Sequence, residues 1–146
     1  ERKPTFISTG MCTLDDVDAA VEIFRSQRCP FMLMHAVSTY PSPESDLNLQ
    51  MLHVLRERYG VPVGYSGHEA SVSPSIVAAV MGAAAVERHI TLDRAMYGSD
   101  QAASLELAGL INLIGSIRKI PAVVGDGAKR FDAGERAVAK KLRYWE

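Results

Sequence analysis

The chain has 146 residues, a net charge of −1 and 47% hydrophobic residues, which suits one soluble domain with a sizeable core. A charge so near zero supplies no field to gather nucleic acid, and no apolar run approaches the ~20 residues of a membrane span. Neither partner is therefore expected. Two cysteines, Cys12 and Cys29, are too few for a disulfide framework, so reduced thiols in a cytoplasmic protein are the expectation.

One pattern recurs along the chain: a short strand-like run ends in polar residues, and an amphipathic helix follows. Residues 4–8, PTFIS, give the first strand. Thr13 then reads as an N-cap, with Leu14, Val17, Val21 and Phe24 on one helical face. Residues 31–37, FMLMHAV, give the second strand, ending in STYPSP. The next helix turns Leu47, Met51, Leu52, Leu55 and Tyr59 inward and stops at Gly60. The third strand is VPVGY, at 61–65. Ser73-Pro74 then reads as an N-cap with a first-turn proline, and Gly82 closes that helix. Residues 84–92, AAVERHITL, give the fourth strand. Ser104 is expected to cap a last helix bearing Leu107, Leu110, Ile111, Ile114 and Ile117, with Pro121 as its stop. Residues 126–146 are charged, lack a strand signal and read as a linker or packing tail.

No two-residue hairpin turn joins any strand pair. Helical connections imply parallel strands with right-handed crossovers. The fold class is thus α/β, with four consecutive βα units over residues 1–125. These are half of a (β/α)₈ barrel, which typically needs ~250 residues. A four-stranded open sheet is the other reading. The barrel is preferred because every strand, not one crevice, ends in reactive polar groups. An isolated half leaves two edge strands unpaired, and the chain begins at Glu1 rather than Met, so a partner half is expected from elsewhere.

The four strand ends share one mouth: Ser8-Thr9-Gly10, Ser38-Thr39-Tyr40, Ser66-Gly67-His68-Glu69 and Glu87-Arg88-His89. Hydroxyls and backbone amides on such a rim suit phosphate or carboxylate. His68 and His89, on adjacent strand ends, suit a divalent metal whose open positions go to water and substrate. A hydrogen-bonded structural role for both is the competing reading. Glu87 shares the face of His89 and is expected to point into the barrel, as a functional or a structural carboxylate. Arg88 is expected to point outward. Gly67 is expected to admit close approach of a ligand to the backbone, and Glu69 to orient a ligand or cap a turn. His53 reads as solvated, His35 as core or barrel wall, and Cys12 as an inert thiol.

The ordered segments STGM (8–11), STYPSP (38–43), GYSGHE (64–69), ERHITLDR (87–94) and GSDQAASLE (98–106) together resemble the sialic acid synthase family. The resemblance implies a (β/α)₈ barrel, usually followed by a small antifreeze-like domain toward which 126–146 would lead. It implies condensation of phosphoenolpyruvate with an N-acyl-hexosamine, giving a nonulosonic acid and phosphate, in a cytoplasmic homodimer. A divalent metal, commonly Mn²⁺, would be held by His68 and His89. Ser8 and Ser66 fall on phosphoenolpyruvate-contacting serines, and Tyr40 and Asp100 on sugar-contacting positions. Ser38 and Gln101 stand beside these as substrate-binding candidates, in places where relatives often carry Asn and His. The family's cationic residues from the first half of the barrel are absent, so the chain is expected to be inactive alone. A non-catalytic barrel fragment with an assembly role, and another metal-dependent aldolase or sugar-phosphate synthase, are the alternatives.

Overall fold

The computed structural model describes residues 2–143 and Trp145. Glu1 and Glu146, the ends of the two expected segments, lie outside the described residues, as does Tyr144. The strands are β1 (Thr5–Ser8), β2 (Phe31–Ala36), β3 (Val63–Gly67) and β4 (Val86–Arg88). They form one four-stranded sheet in chain order, every pair parallel. Helices α1 (Leu14–Ser26), α2 (Met51–Tyr59), α3 (Ser73–Val80) and α4 (Leu107–Val124) follow the strands in turn. Four βα units thus build half of a (β/α)₈ barrel, as the sequence pattern implies.

Register decides what each face carries. Ser8, Met34 and Gly64 lie in one row across the sheet, and Ala36, Ser66 and Glu87 in the next. Side chains alternate along a strand, so these rows share one face. On the other face Leu33 pairs with Val63, and His35 with Tyr65, which pairs with Val86. That face meets the helices: Leu33, Val63 and Tyr65 pack with Val17, Val21, Leu52, Leu55, Tyr59 and Ala78 in the core. His35 is buried there, and its Nε2–H donates to the Leu47 carbonyl at 2.7 Å, as a barrel-wall residue should. Burial pushes the His35 pKa below its usual value.

Local signals set several boundaries. Thr13 closes a full capping box with Asp16 at the start of α1, and Gly60 ends α2 in the left-handed conformation. Other expectations are corrected. β3 ends at Gly67, two residues beyond VPVGY, and starts at Val63. β4 covers only residues 86–88 of the expected 84–92; beyond it Ile90 forms an isolated parallel bridge with Leu105. That bridge keeps residue 105 extended. Helix α4 therefore starts with Glu106, not Ser104, as its N-cap, and Ser104 Oγ instead donates to the Asp100 carbonyl. Val72, not Ser73, precedes α3; Pro74 still sits in the first turn, where its missing N–H costs nothing. Pro121 lies inside α4, which stops only at Gly125.

Helix α4 also corrects the reading of its own face and of the hydropathy profile. Leu107, Ile111 and Ile114 are exposed, and Leu113 is the residue it buries. Its 18 residues, with mean hydropathy 1.5, are by length and composition enough to cross a membrane. Arg118 and Lys119 interrupt that run. The segment after α4 carries a largely exposed helix, α5 (Ala133–Leu142). His53, expected in solvent, is half-buried with its Nδ1 3.4 Å from Arg56.

Two outcomes check this packing. Leu33→Ala removes a side chain with no exposed surface and is expected to cost about 2–5 kcal/mol, read from urea unfolding midpoints. Asp18 bridges α1 to α2: Arg58 donates Nε–H and Nη2–H to its two oxygens at 3.0 and 2.5 Å, and Tyr59 donates its hydroxyl at 2.7 Å. The Arg58 guanidinium, then the Tyr59 hydroxyl, lowers the Asp18 pKa to about 2. A lowered carboxylate pKa stabilises the fold above its unfolded pKa of ~3.9, and that contribution fades as pH falls through about 2. NMR titration of the Asp18 carboxyl is expected to place its midpoint well below that of an unfolded aspartate.

Candidate active site

The C-terminal ends of β2, β3 and β4 carry the polar groups that converge. After β2 the chain turns through Thr39 and Tyr40 to Ser42, whose N–H donates to the His68 carbonyl at 2.9 Å. The Ser42 hydroxyl lies within hydrogen-bond distance of the Val37 and Thr39 carbonyls, at 3.1 and 2.7 Å. This braced turn offers the Val37 carbonyl to His68, whose Nδ1–H donates to it at 2.7 Å. The carbonyl accepts only, so the neutral His68 ring keeps its lone pair on Nε2. The Tyr40 hydroxyl meets that nitrogen at 3.2 Å, with the two rings 4.3 Å apart.

His89 stands beside this pair. Its ring centroid is 5.2 Å from that of His68 and 5.7 Å from that of Tyr40, both edge-on. Asp100 Oδ2 lies 3.6 Å from His89 Nδ1, leaving Nε2 as the nitrogen away from the carboxylate. The loop bearing Asp100 is tied down by Arg94, whose backbone N–H donates to Glu106 at 3.0 Å and whose guanidinium donates to the Ala102 carbonyl.

The structure therefore brings His68, His89, Tyr40 and Asp100 into one cluster. Ser66 and Glu87 lie one row deeper on the same face, where Ser66 Oγ donates to Glu87 Oε1 at 2.8 Å. With its proton given to Glu87, the Ser66 hydroxyl meets the mouth as an acceptor. Ser8 is exposed at the end of β1 and accepts from the Gly10 N–H at 3.3 Å. Ser38 is half-buried and fills the space a Cβ on Gly10 would need, so Gly10 lets the ends of β1 and β2 close up. Gln101 packs against Gly98, its Oε1 buried without a protein partner.

Behind the mouth, on the helix side, lies a network that sequence reasoning missed. Glu69 is completely buried. Its carboxylate accepts from the Tyr65 hydroxyl at 2.8 Å, Ser75 Oγ at 2.9 Å and Arg88 Nη1–H at 2.9 Å. Burial, and then the charge of Glu69, raises the Tyr65 pKa far above the usual phenol value. Burial likewise lowers the Arg88 pKa, against the opposing pull of Glu69. Arg88 points outward, as strand alternation requires. Glu69 neither faces a ligand nor ends a turn at the surface; it is the anion of this buried pair. Gly67 is corrected too. A Cβ there would meet Glu69, Tyr65 and Arg88 at 2.7–2.9 Å, so its bareness serves side-chain packing, not ligand approach. The residue types gave one usable signal: a Glu and an Arg each flank a mouth histidine on the opposite strand face.

Among the described residues no group of three His, Cys, Asp or Glu side chains is placed to hold a metal ion. The two imidazoles nevertheless suit one divalent cation. Each has an oxygen facing Nδ1, as ligating imidazoles do, which turns Nε2 away from it; on His68 that nitrogen meets the Tyr40 hydroxyl, which a cation would displace. Their 5.2 Å separation also lies within the ~6.5 Å that two rings bound at ~2.1 Å to a common ion can span. A hard cation would take the rest of its coordination from water and substrate oxygens.

The sequence profile described as the NeuB family matches residues 1–129. The chain is 35% identical over 141 residues to N-acetylneuraminate-9-phosphate synthase of Homo sapiens, covering 96% of this chain and 39% of the relative. It is 33% identical over 148 residues to N,N'-diacetyllegionaminic acid synthase of Legionella pneumophila, covering 98% and 42%. Among solved structures, N-acetylneuraminic acid synthetase of Leptospira borgpetersenii superposes with a TM-score of 0.78 at 32% identity, covering 95% of this chain and 49% of the other. The chain thus spans about two fifths of the length of the curated relatives it matches.

The tautomer at the centre of the cluster is directly measurable. Long-range ¹H–¹⁵N spectra of neutral His68 are expected to show a protonated Nδ1 and an imine-type Nε2. An Nε2–H tautomer would mean that the Val37 carbonyl does not orient the ring.

Proposed function

The chain belongs to the NeuB family, and on that premise we propose that it forms the metal-binding side of the mouth of a nonulosonic acid synthase. The reaction joins phosphoenolpyruvate to an N-acyl-hexosamine and releases phosphate. The observation that carries this reading is the convergence of His68 and His89 on one mouth, each with Nε2 free of the groups that orient it. These two residues would hold a divalent cation, with Mn²⁺ favoured, which when bound supplies Lewis acidity toward the sugar carbonyl.

The chain's own residues do the rest of the positioning. Tyr40 covers the His68 edge with its hydroxyl on Nε2, and a cation taking that nitrogen would release the hydroxyl to a sugar. Asp100, half-exposed, accepts hydrogen bonds from sugar hydroxyls and lies beside His89 Nδ1 at 3.6 Å. Ser8 and Ser66 offer hydroxyls along the floor of the mouth, and Glu87 sets the direction of the Ser66 proton. Gln101 borders the loop that carries Asp100.

Phosphoenolpyruvate is strongly anionic and needs cations that this mouth does not spare. Arg88 is committed to Glu69, and the Arg94 guanidinium is turned to the Ala102 carbonyl. Lysine or arginine from the other half of a barrel, or from a partner subunit in a homodimer, would complete the site.

Two measurements test the reading. In the complete synthase, His68→Ala is expected to keep the circular dichroism spectrum, abolish Mn²⁺ binding and lower turnover by about 10² or more; normal turnover in metal-depleted buffer would refute it. The 146-residue chain alone is expected to release no phosphate from phosphoenolpyruvate with N-acetylmannosamine and Mn²⁺. Release at a rate comparable with a complete synthase would show that the mouth needs no further cations.

A further inference from the structure

We propose that the buried Arg88–Glu69 pair is a positioning device, which sets the spacing of His68 and His89 and ties the Asp100 loop to them. The consequence for cation affinity rests on the metal reading above; the positioning itself does not.

The backbone leaves this task open. The β3–β4 ladder ends where Gly67 pairs with Arg88. His68 and His89 lie one step beyond it. The His68 carbonyl accepts from Ser42, and the His89 carbonyl from Leu105. Each histidine's main chain is thus bonded to its own side of the mouth, and no strand pairing carries on between the two.

Arg88 spans that gap with its side chain. Nη2–H donates to the Glu69 carbonyl, next to His68, and at 3.2 Å to the Ala103 carbonyl, three residues beyond Asp100. Nη1–H donates to Glu69 Oε1 at 2.9 Å, the Ser71 carbonyl at 2.8 Å and Ser75 Oγ at 3.1 Å. One rigid guanidinium therefore joins the residue before His89, the residue after His68 and the turn that follows Asp100. The fork geometry matters, because lysine presents its donors from one point and cannot hold two directions at once.

The location also argues for geometry over stability. The Arg88 and Glu69 side chains are 2% and 0% exposed. Apolar side chains of similar volume commonly serve stability as well as a buried ion pair does. What they cannot do is reach two carbonyls on separate loops.

The test uses the intact protein and two variants, Arg88→Lys and the double variant Glu69→Gln/Arg88→Met, which leaves no unpaired charge buried. Two readouts are taken: ring-to-ring NOEs between His68 and His89 without metal, and Mn²⁺ affinity by EPR. Both variants are expected to keep the wild-type circular dichroism spectrum, weaken the NOEs and bind Mn²⁺ about tenfold more weakly, as loss of outer supports does in metal sites. Unchanged NOEs in the double variant overturn the proposal, whatever the metal does. Weakened NOEs in a protein whose wild type binds no Mn²⁺ uphold the positioning role and remove the metal reading alone. If neither variant folds, the pair is a stability element and the proposal falls.

Discussion

Parallel strands in register are the constraint from which the rest of this molecule follows. Each row of the sheet puts one residue per strand on the same face, and each step along a strand reverses the face. Leu33, Val63 and the Tyr65 ring can then pack toward the helices while Ser66 and Glu87 sit on the other side. The same alternation separates Gly67 and Arg88 from His68 and His89. A chemical cluster and its support occupy neighbouring positions on the chain without competing for space.

That support is costly by itself. Burying a guanidinium and a carboxylate forfeits several kcal/mol of hydration each, which their attraction recovers only when further hydrogen bonds are in place. Here most are: Tyr65, Ser75 and three main-chain carbonyls surround the pair, and Arg88 Nε–H alone of its donors is buried without a partner among the described residues. Such a pair adds little net stability, but losing one member strands the other in an apolar surrounding. The arrangement is therefore stiff, and stiffness is what two ligands on separate strands require.

The face away from the helices has a different physics. β1 and β4 each have an unpaired edge, and Phe6, in the row that faces away from the core, is exposed. Ile90 and Leu92 beyond β4, and Leu107 and Ile111 on α4, are exposed as well. In a closed (β/α)₈ barrel these edges pair with neighbouring strands, and adjacent helices cover such flanks. The hydropathy of α4 follows from the same geometry. A barrel helix flanked on both sides needs a wide apolar surface, and a half-barrel leaves much of it open.

Local chemistry made much of this legible from the residues alone. The order of strands and helices, the Thr13 cap, the Gly60 stop and the outward turn of Arg88 all rest on interactions within a few residues, or on periods of 2 and 3.6. His68 and His89 stood out because two imidazoles at adjacent strand ends can present their lone pairs to one cation. Boundaries that depend on distant partners were not legible. Ser104 cannot cap α4 because residue 105 is held extended against Ile90, and nothing near Ser104 announces that bridge. Glu69 and Gly67 read as mouth residues because they follow and precede a mouth histidine. Only the packed sheet, with Tyr65, Ser75 and Arg88 arriving from three other places in the chain, decides that both belong to the far side. The sequence by itself thus determined which side chains alternate and where chemistry is concentrated. Tertiary structure decided which of them meet, because a buried charge finds its partner through space and not along the chain.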